Sequence, residues 1–290
     1  MRILVLGGTR FFGKQLVLSL LRAGQEVSIA TRGRMADEFG DRIERIRFDR
    51  TDPESMRAAF AGRPFEVVYD MLAYASLDIR NALDTITCRK YIFVSSAAVY
   101  ENRHENLLEK EFDPLDEPVI WGVRADFPYC EGKRNAERAA FQAYPGKEIV
   151  AVRFPVVLGE DDYTGRLRFY VEHVLTSRPM YIDNLDARLS FVRQDEAGIF
   201  LSFLCEKNFR GPIHGASRGT ISLREILHFI SEKSGKTPVL TPDGDSAPYN
   251  GEVTHSFDVR LAESLGFRFS ELRDWVFSLV DGVIKESTQG

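Results

Sequence analysis

Short apolar runs alternate with helical stripes through the first 155 residues. Residues 3–6 are unbroken apolar, the pattern of a parallel strand covered on both faces. Behind a glycine turn, Leu16, Val17, Leu20 and Leu21 share one face of a helix expected over 14–23, and Gly24 closes it. Further strands are expected at 26–30, 43–48, 67–72, 91–94 and 149–152. Helices are expected over 52–60, where Pro53 suits a first turn, and over 77–87 and 132–144. Strand and helix alternating at this spacing predict an α/β chain with a doubly wound parallel sheet.

Past residue 155 the pattern loosens. Helices are expected at 166–175, 195–205, 223–234 and 271–285, separated by turn-rich stretches, with no repeat and no low-complexity linker. The expected organisation is therefore a core over 1–155, joined by further core elements from 185–210. Residues 156–290 then form mainly a smaller C-terminal lobe built against the end of the sheet. A ligand belongs in the cleft at the carboxyl ends of the strands.

Composition narrows the function classes. A net charge of -5 gives no bulk electrostatic grip on nucleic acid. Cys88, Cys130 and Cys205 are too few and too scattered for a disulfide framework or a zinc motif. No run approaches the ~18 apolar residues of a membrane span, and the first residues lack a cleavage-site pattern. A cytoplasmic protein with no membrane partner is expected. His104 follows a strand end and is a weak auxiliary candidate, whereas His228 in an apolar helix is expected to be structural.

The first strand runs into GGTRFFG, residues 7–13. Gly7 permits a sharp turn, Gly8 keeps a ligand's approach free of a side chain, and Gly13 lets the helix pack closely. A helix N-terminus then aims N–H groups at a pyrophosphate. Thr9 and Phe12 belong to the same loop, with Phe11 and Phe12 expected to shield it. The spacing departs from the common G-x-G-x-x-G, so a strand–helix turn that holds nothing is the competing reading. The second strand ends in Thr31-Arg32-Gly33-Arg34 with no acid before Asp37. An arginine there suits a ribose 2′-phosphate, which favours NADP over NAD. Arg10 either reaches the same phosphate or plugs the site.

With YIFVSSAAVY (91–100) and YCEGK (129–133) added, the chain resembles the short-chain dehydrogenase/reductase superfamily. The likeness is to its extended branch of NAD-dependent epimerases and dehydratases, in an atypical form with a GGTR loop. It extends over nearly the whole length, with weaker echoes at 153–162, 190–200 and 257–267. The resemblance implies a Rossmann-like core and a nicotinamide cofactor. The implied activity is oxidoreductase or epimerase chemistry at a hydroxyl or keto carbon of a sugar-like or nucleotide-sugar substrate.

Carried over by position, Ser96 resembles the donor to the reacting oxygen, Tyr129 the proton-transferring tyrosine, and Lys133 its ribose-contacting partner. Asp49 and Arg50 resemble the pair near the adenine, and Ala73 falls where backbone packs on the cofactor. Tyr129 and Lys133, four residues apart, share a helix face, and a neighbouring ammonium is expected to favour the phenolate. An ordinary amphipathic helix with a half-buried tyrosine is the bland alternative.

Three departures stand against the family pattern: Arg10 for glycine, Gly132 inside the active helix, and Val156-Val157 where an asparagine commonly contacts a substrate diphosphate. Relatives with this loop also include organellar RNA-binding proteins. A non-catalytic NADP-sensing or RNA-processing role is therefore the alternative, with Arg32, Arg34, Arg42, Arg45, Arg47 and Arg50 its best anchor. The family further suggests a homodimer. No metal site is expected.

Overall fold

The computed structural model describes residues 1–289. Seven parallel strands form one sheet in the order β7-β6-β5-β4-β1-β2-β3. The strands are β1 (Arg2–Leu6), β2 (Glu26–Thr31), β3 (Glu44–Arg47), β4 (Phe65–Asp70), β5 (Cys88–Val94), β6 (Glu148–Arg153) and β7 (Gly211–His214). Successive strands are added outward in opposite directions from the boundary between β1 and β4, so a cleft opens there at the carboxyl ends.

Alternation along the strands decides which helix goes where. Ile3 and Val5 of β1 face one side with Val67 and Tyr69 of β4, and pack on Leu16, Val17 and Leu20 of α1 (Phe11–Arg22). Leu4 and Leu6 face the other side, where α2 (Pro53–Phe60), α3 (Ser76–Thr85) and α4 (Tyr129–Ala143) cover them. Asp52 starts α2 by accepting the Glu54 N–H, with Pro53 at the first helical position. The doubly wound sheet expected from the pattern is the one that forms.

A third apolar cluster fills the C-terminal lobe, between α5 (Arg166–Thr176), α7 (Leu223–Ser234) and the helix Val276–Gln289. Between α5 and α7 in the chain, α6 (Gln194–Leu204) returns to pack Ala197, Phe200 and Leu201 in the same cluster as α1. Its Gly198 is where the two helices meet: a Cβ there would come within 2.6 Å of the Leu16 nitrogen.

Several expected boundaries move, among them the start of α1 (Phe11 rather than 14) and of β5 (Cys88 rather than 91). The strand placed at 67–72 ends at Asp70, whose buried carboxylate takes the Leu72 N–H and turns the chain. The last helix breaks into a turn at Leu272–Asp274 and a helix from Val276. Helix α4 starts at Tyr129 rather than 132, so the tyrosine occupies its first turn behind Pro128. Strand β7, GPIH in sequence, was not anticipated, because glycine and proline are tolerated there only at a sheet edge.

Candidate active site

The glycine turn is built as a cradle. Gly7 and Gly8 have φ of 94° and 85°, values that strain any residue with a Cβ. Only Gly7 faces the groove. A Cβ on Gly8 would strike Val5 Cγ1 at 2.8 Å, and one on Gly13 would reach the Gly8 Cα at 3.0 Å. The last two glycines thus bring α1 onto β1, and Gly8 does not clear a path for ligand as expected.

Ser96 follows β5 and caps a short turn, its hydroxyl accepting the Ala98 N–H at 3.1 Å. Tyr129, half exposed at the start of α4, borders the same cavity. Partial burial pushes its phenol upward, against the Ser96 hydroxyl and the charges of Arg124 and Arg166, which pull the other way. Lys133 Nζ sits 5.8 Å from the Tyr129 ring centroid and 4.6 Å from that of Tyr74. It donates to the carbonyls of Ala73 and Val94, each at 2.7 Å. One of its three N–H groups is left for a ligand. Desolvation lowers this amine from 10.5 to about 8, against the pull of Asp70 and Asp78. The amine is thereby a buried clamp joining the ends of β4 and β5 to α4.

Gly132 is explained by the same clamp. A Cβ there would lie 2.5 Å from the Tyr74 carbonyl oxygen, so α4 can approach the β4–α3 loop only without a side chain. The helix gives up about 1 kcal/mol of propensity for that approach.

Two cavities line up along the cleft. One, of about 520 Å³, is bordered by Ser96, Tyr129, Lys133, Phe12, Phe154 and Val157. The other, of about 340 Å³, is bordered by Gly7, Thr9, Arg10, Arg32, Asp49 and Arg50. Tyr74 and Arg124 border both, with the Arg124 guanidinium 4.1 Å from the Tyr74 ring centroid. The first cavity brings Ser96, Tyr129 and Lys133 together; the second gathers the loop and the end of β2.

Not every expected residue is available to a ligand. Arg50 is turned into the fold, donating to both carboxylate oxygens of buried Asp70, one at 2.7 Å, and lying 3.3 Å from Asp78. Asp49 borders the cavity but accepts the Thr51 N–H and hydroxyl at 2.9 and 2.7 Å. Ala73 offers its backbone, fully buried and pinned by Lys133. Arg32 and Arg34 are exposed at the cavity edge. Arg10 borders the cavity with its guanidinium 5.2 Å from the Tyr163 ring centroid. His104 pairs with Glu111 on another face, and His228 is solvated on α7 beside Glu232, not structural. Among the described residues no cluster of His, Cys, Asp and Glu could hold a metal.

Sequence reasoning missed Tyr74, Arg124, Tyr163 and Arg166, which all border the substrate-side cavity. They come from loops and a helix start with no periodicity, so only Tyr74, next to Ala73, carried a positional hint.

Behind Ser96 lies a buried polar chain. Ser95 donates to Glu137, one turn after Lys133 on α4. Arg153 at the end of β6 grips the same carboxylate at 2.6 and 2.9 Å, and both side chains are wholly buried. Arg153 also reaches the Tyr100 hydroxyl at 2.8 Å, which meets His214 Nε2 at 2.5 Å. Burial holds that imidazole down at about 4, so it is neutral at pH 7. The chain locks β5, β6 and α4 in register under the cavity.

A seven-stranded parallel sheet, helices on both faces and a cleft where the strand order reverses make this a Rossmann-like fold. Residues 3–87 match the model of the NAD dependent epimerase/dehydratase family. The match takes in the glycine loop and the end of β2, and agrees with the resemblance carried by the first of the motifs. The chain is 24% identical to vestitone reductase of Medicago sativa over 276 residues, covering 83% of this chain and 84% of that protein. It is 24% identical over 219 residues to chloroplast stem-loop binding protein of 41 kDa b of Arabidopsis thaliana. That match covers 70% of this chain but 55% of the relative, so the chain spans about half its length. The fold is shared with a UDP-glucose 4-epimerase of Thermus thermophilus, solved in complex with NAD. The TM-score is 0.70 at 20% identity, over 98% of this chain and 99% of that one. Among the described residues no helix is long and apolar enough to cross a membrane.

Proposed function

We propose that the protein is a nicotinamide-dependent oxidoreductase or epimerase acting on a hydroxyl or keto carbon of a sugar-like substrate. One observation carries it. Ser96, Tyr129 and Lys133 border a cavity that meets, at Tyr74 and Arg124, a second cavity bearing Gly7 and Arg32. A dinucleotide is a two-ended ligand of that form. The positive-φ turn at Gly7 and the spare N–H of Lys133 are what such a ligand would use.

When bound, the nicotinamide supplies or accepts the hydride. The chain supplies the proton and the geometry. Tyr129 rests as a neutral phenol, since burial raises it above the ordinary tyrosine value. It is therefore poised to give its proton to an oxygen as a carbonyl becomes an alkoxide. In the opposite direction its phenolate takes the hydroxyl proton while the carbon gives up hydride. Ser96 orients that oxygen by donating a second hydrogen bond. Lys133 fixes the wall on which both act. A sugar or nucleotide-sugar substrate is supported by the likeness to a UDP-glucose 4-epimerase fold.

NADP is the preferred cofactor in this proposal, because Arg32 and Arg34 stand at the cavity just past β2, where the chain has no acid before Asp37, and the Asp49 carboxylate that also borders it is engaged by Thr51. The non-catalytic RNA-binding alternative has the stem-loop binding relative in its favour. Half of its basic run is, however, engaged within the fold: Arg45 pairs with Asp37, Arg42 donates to the Phe39 carbonyl, and Arg50 is buried on Asp70.

Titration with NADPH and NADH tests the proposal. NADPH should bind about tenfold or more tightly, the value of charge-assisted bonds to a phosphate, and Arg32→Ser should erase the difference. NADH binding as well as NADPH would overturn the role of Arg32. Tyr129→Phe should keep NADPH affinity yet lower turnover of a UDP-sugar by about 10²–10⁴-fold. Undiminished turnover would reject the tyrosine as the acid.

A further inference from the structure

Arg10 stands where the family loop has glycine, and its surroundings give it work. Loop 159–165 comes from the C-terminal lobe and lies on the start of α1. Its Tyr163 holds the Arg10 guanidinium at 5.2 Å from the ring centroid and packs edge-on against Phe11 at 6.2 Å. One turn further along α1, Lys14 ties the same loop through Asp161 at 3.3 Å. It also ties the stretch after β2 through Glu38 at 3.2 Å. Asp161 is steadied in turn by Gln194, which reaches its backbone N–H at 3.1 Å.

The position of this contact matters. Arg10 borders the cavity at the end of β2, and Tyr163 borders the cavity with Tyr129. Their contact therefore crosses the seam between the two, whose other wall is Tyr74 and Arg124. A ligand occupying both cavities runs through that seam. Tyr163 is well exposed and its loop belongs to the lobe, so the contact can open without disturbing the sheet.

We propose that Arg10 and Tyr163 form a clasp over the bound dinucleotide, slowing its release between turnovers. This rests on the nicotinamide reading above. Arg10 supplies a charge at the seam, where a diphosphate would lie, and the Tyr163 ring keeps the guanidinium from folding into the cavity. Arginine in place of glycine is then a retention device and not a plug.

Stopped-flow release of NADPH, chased with excess unlabelled NADP and followed by nicotinamide fluorescence, tests the clasp on the full chain. Tyr163→Ala should speed release about two- to fivefold, as the loss of one exposed cation–π pair allows. Tyr163→Phe, which keeps the ring, should release at the wild-type rate. Arg10→Gly should speed release roughly tenfold, since it also removes a charge-assisted contact. The double variant should be no faster than Arg10→Gly, because the two residues act as a unit. Slower release or tighter binding in Arg10→Gly would identify an obstruction and overturn the clasp. So would a Tyr163→Ala rate equal to wild type. A wild-type protein that binds neither NADPH nor NADH would refute the nicotinamide reading itself, whereas binding with unaltered variants would refute only the clasp. Matching circular dichroism melts for the variants would separate these outcomes from misfolding.

Discussion

Replacing Gly132 by alanine sets two effects of known size against each other. Alanine is worth about 1 kcal/mol more than glycine in a helix interior, and on propensity alone Gly132→Ala would stabilise α4. The structure opposes it. The new Cβ would stand 2.5 Å from the Tyr74 carbonyl oxygen, and such contacts essentially never fall below 3.0 Å. Helix and loop would have to part by about 0.5 Å. Neither side is free to yield. The Tyr74 N–H is held by Asp78 at 2.8 Å, and the neighbouring Ala73 carbonyl by Lys133 at 2.7 Å. Overpacking of this kind costs about 1–3 kcal/mol, so the net is a loss of up to roughly 2 kcal/mol. For a chain of this size the midpoint should fall by up to roughly 6 °C. Because Tyr74 borders both cavities, NADPH affinity should fall as well. Thermal unfolding and a fluorescence titration of the same sample would check both. A midpoint raised by the helix propensity, with affinity intact, would show that the loop has slack and refute the reasoning.

Two further substitutions probe the buried charges beneath the site. Lys133 is lowered from 10.5 to about 8 in the fold, so between these values the unfolded chain holds more protons than the folded one. Stability from this group therefore rises as pH goes from about 8 to about 10.5, by roughly 3 kcal/mol, and is flat below that window. Lys133→Met should remove the rise in urea unfolding measured across that range; a parallel pH profile in the variant would contradict the desolvation of the amine. Glu137→Gln keeps the shape of the side chain but leaves the Arg153 guanidinium without its counter-charge in a fully buried position. A loss of about 3–5 kcal/mol in chemical denaturation is expected, and a loss below about 1 kcal/mol would mean that water reaches the pair.

The amino-acid sequence by itself determined the local frame: which runs are strands, which stripes are helices, and therefore the wound α/β order. Periodicity is a property of consecutive residues, and burial on both faces leaves an unbroken apolar run such as residues 3–6. The same holds for Ser96, Tyr129 and Lys133, whose spacing was legible because it sits within one strand end and one helix turn. What each residue does in the fold was decided by residues far away in the chain. Lys133 is a clamp because Ala73 and Val94 arrive beside it, and the Arg50 guanidinium is held by the fold because Asp70 is buried within reach. Gly132, a weakness along the helix, is a requirement across it. Arg124, Arg166 and Tyr163 became part of the site only when loops without periodicity closed over the sheet. Long-range contacts fix solvation and partners, and solvation and partners set the charge, reach and exposure that chemistry uses.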